Sequence, residues 1–157
     1  MKKILFVCLG NICRSPLAEG IFFKIICDRN LEHKYSADSC GTAAYHIGEK
    51  PDYRAIKTAK QHGINLNHSA RQIQSIDLDH FELILVMDRA NLNNTLRIAS
   101  PTNKHKIKLL RDFEPSSFGD AEVPDPYYGG QSGFEDVFTI AYRCCENLIN
   151  QLENKSN

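Results

Sequence analysis

Residues 4–16 read Ile4-Leu5-Phe6-Val7-Cys8-Leu9-Gly10-Asn11-Ile12-Cys13-Arg14-Ser15-Pro16. Ile4 to Cys8 is a continuous apolar run, which predicts a central parallel strand covered on both faces. Gly10 and Asn11 break the run. Ser15-Pro16 then opens a helix, with Ser15 as N-cap and Pro16 at the favoured first position. Leu17, Ala18, Ile21, Phe22, Ile25 and Ile26 follow at helical spacing. A strand, a tight loop and a helix therefore fall within the first 30 residues. In such a junction the loop N–H groups turn inward and the helix dipole adds positive potential, so the junction suits an oxyanion.

The side chains give this loop chemistry. Gly10 lets the backbone turn closely around an anion. Asn11 tolerates a left-handed conformation and braces the loop with its amide. Cys8 lies at the mouth of the nest, where the dipole, the N–H donors and Arg14 all favour thiolate. Its pKa is expected to fall below the free value of about 8.5. Arg14 offers a planar fork matched to two phosphate oxygens, and Ser15 can donate to the thiolate. A lone Cys at a strand end is ordinarily a small core residue; the joint pattern points instead to a nucleophile with a charge clamp. A nucleotide-binding loop would end Gly-Lys-Ser/Thr; this one ends Cys13-Arg14-Ser15.

Farther along, Tyr35–Cys40 reads as a second strand and Gly41–Pro51 as a loop. Arg54–His62 reads as a helix stopped by Gly63. Glu82–Met87 is another buried strand, Arg89–Ile98 a helix before Pro101, and Ile107–Leu110 a short strand. Asp112–Gly133 is a long Pro- and Gly-rich loop, long enough to suggest function. Ser132-Gly133-Phe134-Glu135 reads as a capping box. The last helix then turns Phe134, Val137, Phe138, Ala141, Cys145, Leu148 and Leu152 inward. Strands and helices alternate, which predicts an α/β fold: a single-domain, doubly wound sandwich over residues 1–157, with a central four-stranded parallel sheet flanked by helices. Ligands of such sheets bind beyond the carboxyl ends of the strands, where the Cys8–Arg14 loop lies.

The bulk numbers exclude other classes. Nineteen basic and nineteen acidic residues cancel, so there is no bulk pull toward nucleic acid or an anionic surface. No apolar run approaches the roughly 20 residues of a membrane span, so no membrane insertion is expected. Lys2-Lys3 before Ile4–Leu9 looks like a short signal peptide, but Gly10, Asn11 and Arg14 interrupt it, and a buried strand is the better reading. Six cysteines in a chain of 157 residues do not imply disulfides. Adjacent Cys144 and Cys145 look like helix packing residues, and no paired Cys-x-x-Cys set suggests zinc. A reducing cytoplasm is the expected location. No cofactor and no metal are expected.

The stretch Phe6–Pro16 resembles the low-molecular-weight protein tyrosine phosphatase family, whose loop reads Cys-x5-Arg-Ser at the N-terminus. The likeness continues through Gly48–Arg54, His68–Gln72, Met87-Asp88 and Asp125-Pro126-Tyr127-Tyr128-Gly129, so it covers essentially the whole chain. It implies a phosphatase P-loop after the first strand, formed by Cys8, Leu9, Gly10, Asn11, Ile12, Cys13, Arg14 and Ser15. It also implies hydrolysis of phosphotyrosine in proteins, and of small aryl phosphates, through a phosphocysteine. Asp-Pro is by itself a common turn signal; the resemblance makes Asp125 the general acid, kept protonated by bound phosphate. It places Tyr45, Tyr127 and Tyr128 as aromatic walls of the pocket. Family members acting on phosphoarginine carry Thr where this chain has Ile12, which favours phosphotyrosine. Cys13 is either packing or, as the family suggests, the partner of Cys8 in a protective disulfide. His68 and Ser39 are candidate braces of Asn11, and Asp88 a candidate partner of Arg71 or His68.

Two other readings share the fold. A thioredoxin-linked arsenate reductase needs further cysteines in mid-chain, and none lies between Gly41 and Arg143. A silent phosphotyrosine-binding adaptor usually lacks the nucleophile or the acid, and both Cys8 and Asp125 are present. The expected partners are tyrosine-phosphorylated proteins and a cognate tyrosine kinase, with the chain itself a monomer or weakly self-associating.

Overall fold

The computed structural model describes residues 1–115 and 121–156. Strand β1 spans Lys2–Cys8, β2 Tyr35–Gly41, β3 Leu83–Val86 and β4 Ile107–Leu109. They form one sheet in the order β2-β1-β3-β4, and every neighbouring pair is parallel. The chain moves outward from β1 to β2 on one side, then returns to β3 on the other. The crevice between β1 and β3 is the switch point, where ligands bind in such sheets. The carboxyl ends there are Cys8 and Val86.

Alternation along β1 divides the core. Ile4, Phe6 and Cys8 face a cluster containing Leu17, Ile21 and Phe22 of helix α1 (Arg14–Asp28) and Phe134, Val137 and Leu148 of helix α5 (Gln131–Ser156). Leu5 and Val7 face the opposite cluster. That side contains Leu78 of α3 (Ser75–His80) and is packed by Leu92 and Leu96 of α4 (Arg89–Arg97). The run reads as uniformly apolar because both faces are covered. Helix α2 (Tyr53–Gln61) lies against α1 and α5 and ends at Gly63, whose φ of 78° only glycine adopts freely.

Several expectations need correction. Helix α1 begins at Arg14 with Cys13 as N-cap and no side-chain cap. Ser15 is inside the helix, and its hydroxyl turns to Cys8 and Asn11 instead. Pro16 is still in the first turn, where no N–H needs an intrahelical partner. Helix α5 starts at Gln131, so Ser132 is a helical residue and not the opening of a capping box. Helix α3 was not anticipated; six residues are too few to display a helical period. Asp88 pairs with Arg14, while Arg71 pairs with Asp38 and Asp77. Part of the expected long loop, residues 116–120, lies outside the described residues.

Candidate active site

The loop after β1 is held from outside. Thr42 N–H donates to the Cys8 carbonyl at 2.9 Å, Ala43 N–H to that of Leu9 at 2.9 Å, and Asp52 N–H to that of Ile12 at 2.7 Å. A trans peptide points its N–H opposite to the preceding carbonyl. The N–H groups of Leu9, Gly10 and Cys13 therefore turn the other way, away from Thr42, Ala43 and Asp52. The α1 N-terminus adds its dipole. Gly10 has no positive φ; its constraint is space, because an added Cβ would lie 2.9 Å from the His46 ring.

A cleft of about 210 Å³ opens on this loop. It brings together Cys8, Leu9, Gly10, Ile12, Cys13 and Arg14 from the N-terminus with Tyr45, Asp125, Tyr127 and Tyr128. His46, not anticipated, joins the lining. Asn11 and Ser15 do not line it; both are buried behind the loop.

The Ser15 oxygen lies 3.0 Å from the Cys8 sulfur and accepts from the Asn11 amide at 2.8 Å. With that lone pair occupied, the hydroxyl proton has two acceptors in reach, the Cys8 sulfur at 3.0 Å and the Cys40 carbonyl at 3.4 Å, and the sulfur is the nearer. Arg14 is buried. Its Nη1 donates to Asp88 at 2.7 Å and to the Val123 carbonyl at 3.0 Å. Its Nη2 is 3.6 Å from the Asp125 carboxylate. Burial opposes the Arg14 charge, but Cys8, Asp88 and Asp125 more than offset it and raise its pKa. Asp88 also caps α4 by accepting from Asn91 N–H at 2.8 Å, so one carboxylate ties Arg14 to a helix end. The Asp125 side chain is 39% exposed and accepts from Tyr127 N–H at 3.0 Å. Cys13 is buried as a free thiol. Burial first, then Asp52 and Cys8, push its pKa up.

Asn11 sits at φ 60°, the left-handed conformation expected of it. Its amide donates to Ser39 at 3.0 Å as well as to Ser15. Its carbonyl oxygen accepts from Arg71 N–H at 3.0 Å and pairs with His68 Nε2 at 2.7 Å. That oxygen can only accept, so His68 Nε2 carries a proton. Ser39 donates onward to Glu19 at 2.6 Å, a residue the sequence reading missed. Burial pushes the Glu19 carboxyl up to about 7, against the Ser39 hydrogen bond, and burial lowers the His68 pKa. Among the described residues, Glu19, Asp38 and His68 form the one grouping with metal-ligand spacing. Hydrogen bonds to Ser39, Asn11 and Arg71 already engage it.

The low molecular weight phosphotyrosine protein phosphatase family model matches residues 3–157. The human low molecular weight phosphotyrosine protein phosphatase is 44% identical over 150 residues, covering 94% of each chain. A crystal structure of a protein tyrosine phosphatase from Entamoeba histolytica superposes with TM-score 0.95 at 42% identity and covers all of both chains. A Drosophila arginine phosphatase superposes with TM-score 0.90 at 34% identity, over 97% of this chain and 98% of that one. The chain, with its Cys8–Arg14 loop at the switch point of the sheet, belongs to the low molecular weight phosphotyrosine protein phosphatase family.

Proposed function

We propose that the protein hydrolyses phosphotyrosine in proteins, with Cys8 as nucleophile, Arg14 as phosphate clamp and Asp125 as general acid and base. The observation that carries this reading is that these three side chains face one cleft flanked by Tyr45 and Tyr127. The Cys8 sulfur attacks phosphorus as the bond to the phenol oxygen breaks, and Asp125 gives that oxygen its proton. Water then attacks the phosphocysteine, Asp125 takes its proton, and the P–S bond breaks to return thiolate. Ser15 stabilises the departing sulfur. Arg14 and the loop N–H groups hold the equatorial oxygens through both steps.

Aromatic walls stack on a phenyl ring. Ile12, at the cleft lining, offers no hydrogen bond to a guanidino group, which supports an aryl ester over phosphoarginine. The partners are then tyrosine-phosphorylated proteins and the kinases that act on them. Six free thiols suit a reducing compartment such as the cytoplasm, and among the described residues no helix is long and apolar enough to cross a membrane.

The test is release of phosphate from peptides carrying phosphotyrosine, phosphoserine or phosphoarginine, in the presence of a chelator. Turnover of phosphotyrosine that vanishes in Cys8→Ser supports the reading. Inactive wild-type protein favours a binding module, and preferred release from phosphoarginine moves the substrate class.

A further inference from the structure

Asp125 lies in a stretch, residues 121–130, without helix or strand. Before Asp125 the stretch is tied to the sheet and to the clamp: Val123 N–H donates to the Met87 carbonyl at 2.8 Å, and Arg14 donates to the Val123 carbonyl. After Asp125, two backbone carbonyls are held by one side chain. Arg54 Nη2 donates to Tyr127 O at 2.9 Å, and Arg54 Nη1 to Gly129 O at 2.9 Å. The same guanidinium lies 5.6 Å from the Tyr127 ring centre and 4.7 Å from that of Phe134.

The other edge of Arg54 is committed to Asp52. Nε and Nη2 donate to its two carboxylate oxygens at 3.0 and 3.1 Å. Asp52 in turn donates its backbone N–H to the carbonyl of Ile12 in the phosphate loop. A continuous path of short hydrogen bonds therefore runs from the nucleophile's loop, through Asp52 and Arg54, to the backbone on the far side of the acid. Arg54 is absent from the cleft lining. We propose that Arg54 is a positioning residue: it sets the distance between Asp125 and the Cys8 loop, and so the efficiency of proton transfer to the leaving group. The inference rests on Asp125 being the acid. A planar fork is required, because one ammonium cannot match the carboxylate and reach both carbonyls.

The effect should depend on the leaving group. Phenolate needs a proton to depart, whereas 2,4-dinitrophenolate leaves nearly unaided. In Arg54→Met, kcat/KM for phenyl phosphate is expected to fall roughly 10- to 100-fold, within the range of general acid catalysis. For 2,4-dinitrophenyl phosphate it should change by less than about threefold. Competitive inhibition by inorganic phosphate should persist, because the Cys8 loop is untouched. Arg54→Lys should behave like Arg54→Met, since charge alone does not restore the fork. Adding Arg54→Met to Asp125→Asn should cost nothing further on phenyl phosphate. If Arg54→Met folds poorly, Asp52→Asn, which keeps the N-cap but weakens the fork, should show a smaller loss of the same selectivity. Equal losses on both esters, or additive losses in the double variant, overturn the role of Arg54. If Asp125→Asn is leaving-group sensitive and Arg54→Met is not, only the role of Arg54 falls. If Asp125→Asn is itself insensitive, the acid assignment fails and the role of Arg54 fails with it.

Discussion

Ser15 holds its hydroxyl oxygen 3.0 Å from the Cys8 sulfur while accepting a hydrogen bond from Asn11. A thiolate is an acceptor only, so Ser15 must donate to it. A hydrogen bond to a charged group is worth about 1.5–3 kcal/mol. Ser15→Ala is therefore expected to lower kcat by roughly 10- to 100-fold, with the larger loss in breakdown of the phosphocysteine, where sulfur departs. Pre-steady-state kinetics check this: the burst of phenol should survive while the following steady rate falls.

Asn11 occupies a left-handed conformation and bonds Ser15, Ser39, His68 and the Arg71 backbone. Asn11→Ala adds backbone strain and leaves buried partners unpaired, a combined cost of about 3 kcal/mol. Thermal unfolding should shift down by roughly 6–12 °C. Asn11→Gly should recover about 1 kcal/mol by removing the strain, but not the rest. Equal melting temperatures for the two variants would show that the conformation contributes nothing.

The Glu19 carboxyl is raised to about 7 by burial. A carboxyl raised on folding keeps its full stability below the unfolded value of 4.5 and loses it as pH rises through about 7. The stability of wild type minus that of Glu19→Gln should therefore fall across that window. At about 1.4 kcal/mol per unit, the change approaches about 3 kcal/mol. His68, lowered by burial, acts with the opposite sign below 6.5, and its Nδ1 lies 3.3 Å from the Glu19 carboxylate, so the difference curve reads Glu19 together with its effect on His68. Urea unfolding at a series of pH values gives the difference curve; a flat curve rules out Glu19 as a titrating brace.

Cys13 and Cys8 are free thiols in one loop. Cys13 is held protonated by burial, so it does not compete as nucleophile in the resting protein. Once peroxide converts Cys8 to a sulfenic acid, Cys13 is the thiol in the same loop available to condense with it. Peroxide-inactivated wild type should recover with dithiothreitol, and Cys13→Ser should remain largely inactive. Equal recovery removes Cys13 from redox protection.

Much of this site was legible because its first part is local. A buried strand, Gly10, Asn11, Arg14 and Pro16 all fall within residues 4–16, and their chemistry follows from being joined in one junction. The Asn11 brace was likewise foreseeable, since a left-handed Asn must satisfy its amide somewhere. What the sequence hid depends on chain returns. Asp88 stands two residues after β3, but only the register of β3 beside β1 brings it to Arg14 and not to Arg71. Arg54 announces itself only as part of a helix start at Asp52. Its contacts with Tyr127 and Gly129 lie more than 70 positions away and have no sequence period. Ser15 misled because a Ser before Pro is a common helix opening, and here the sulfur claims its hydroxyl.

The central claim is that the Cys8 sulfur carries the phosphoryl group. The most direct measurement is acid quench of wild-type protein turning over 4-nitrophenyl phosphate, followed by peptide mass spectrometry. The account predicts one phosphoryl group on the peptide containing Cys8, absent from Cys8→Ser. Steady turnover with no phosphoryl group on Cys8, or with the group on another residue, would contradict it.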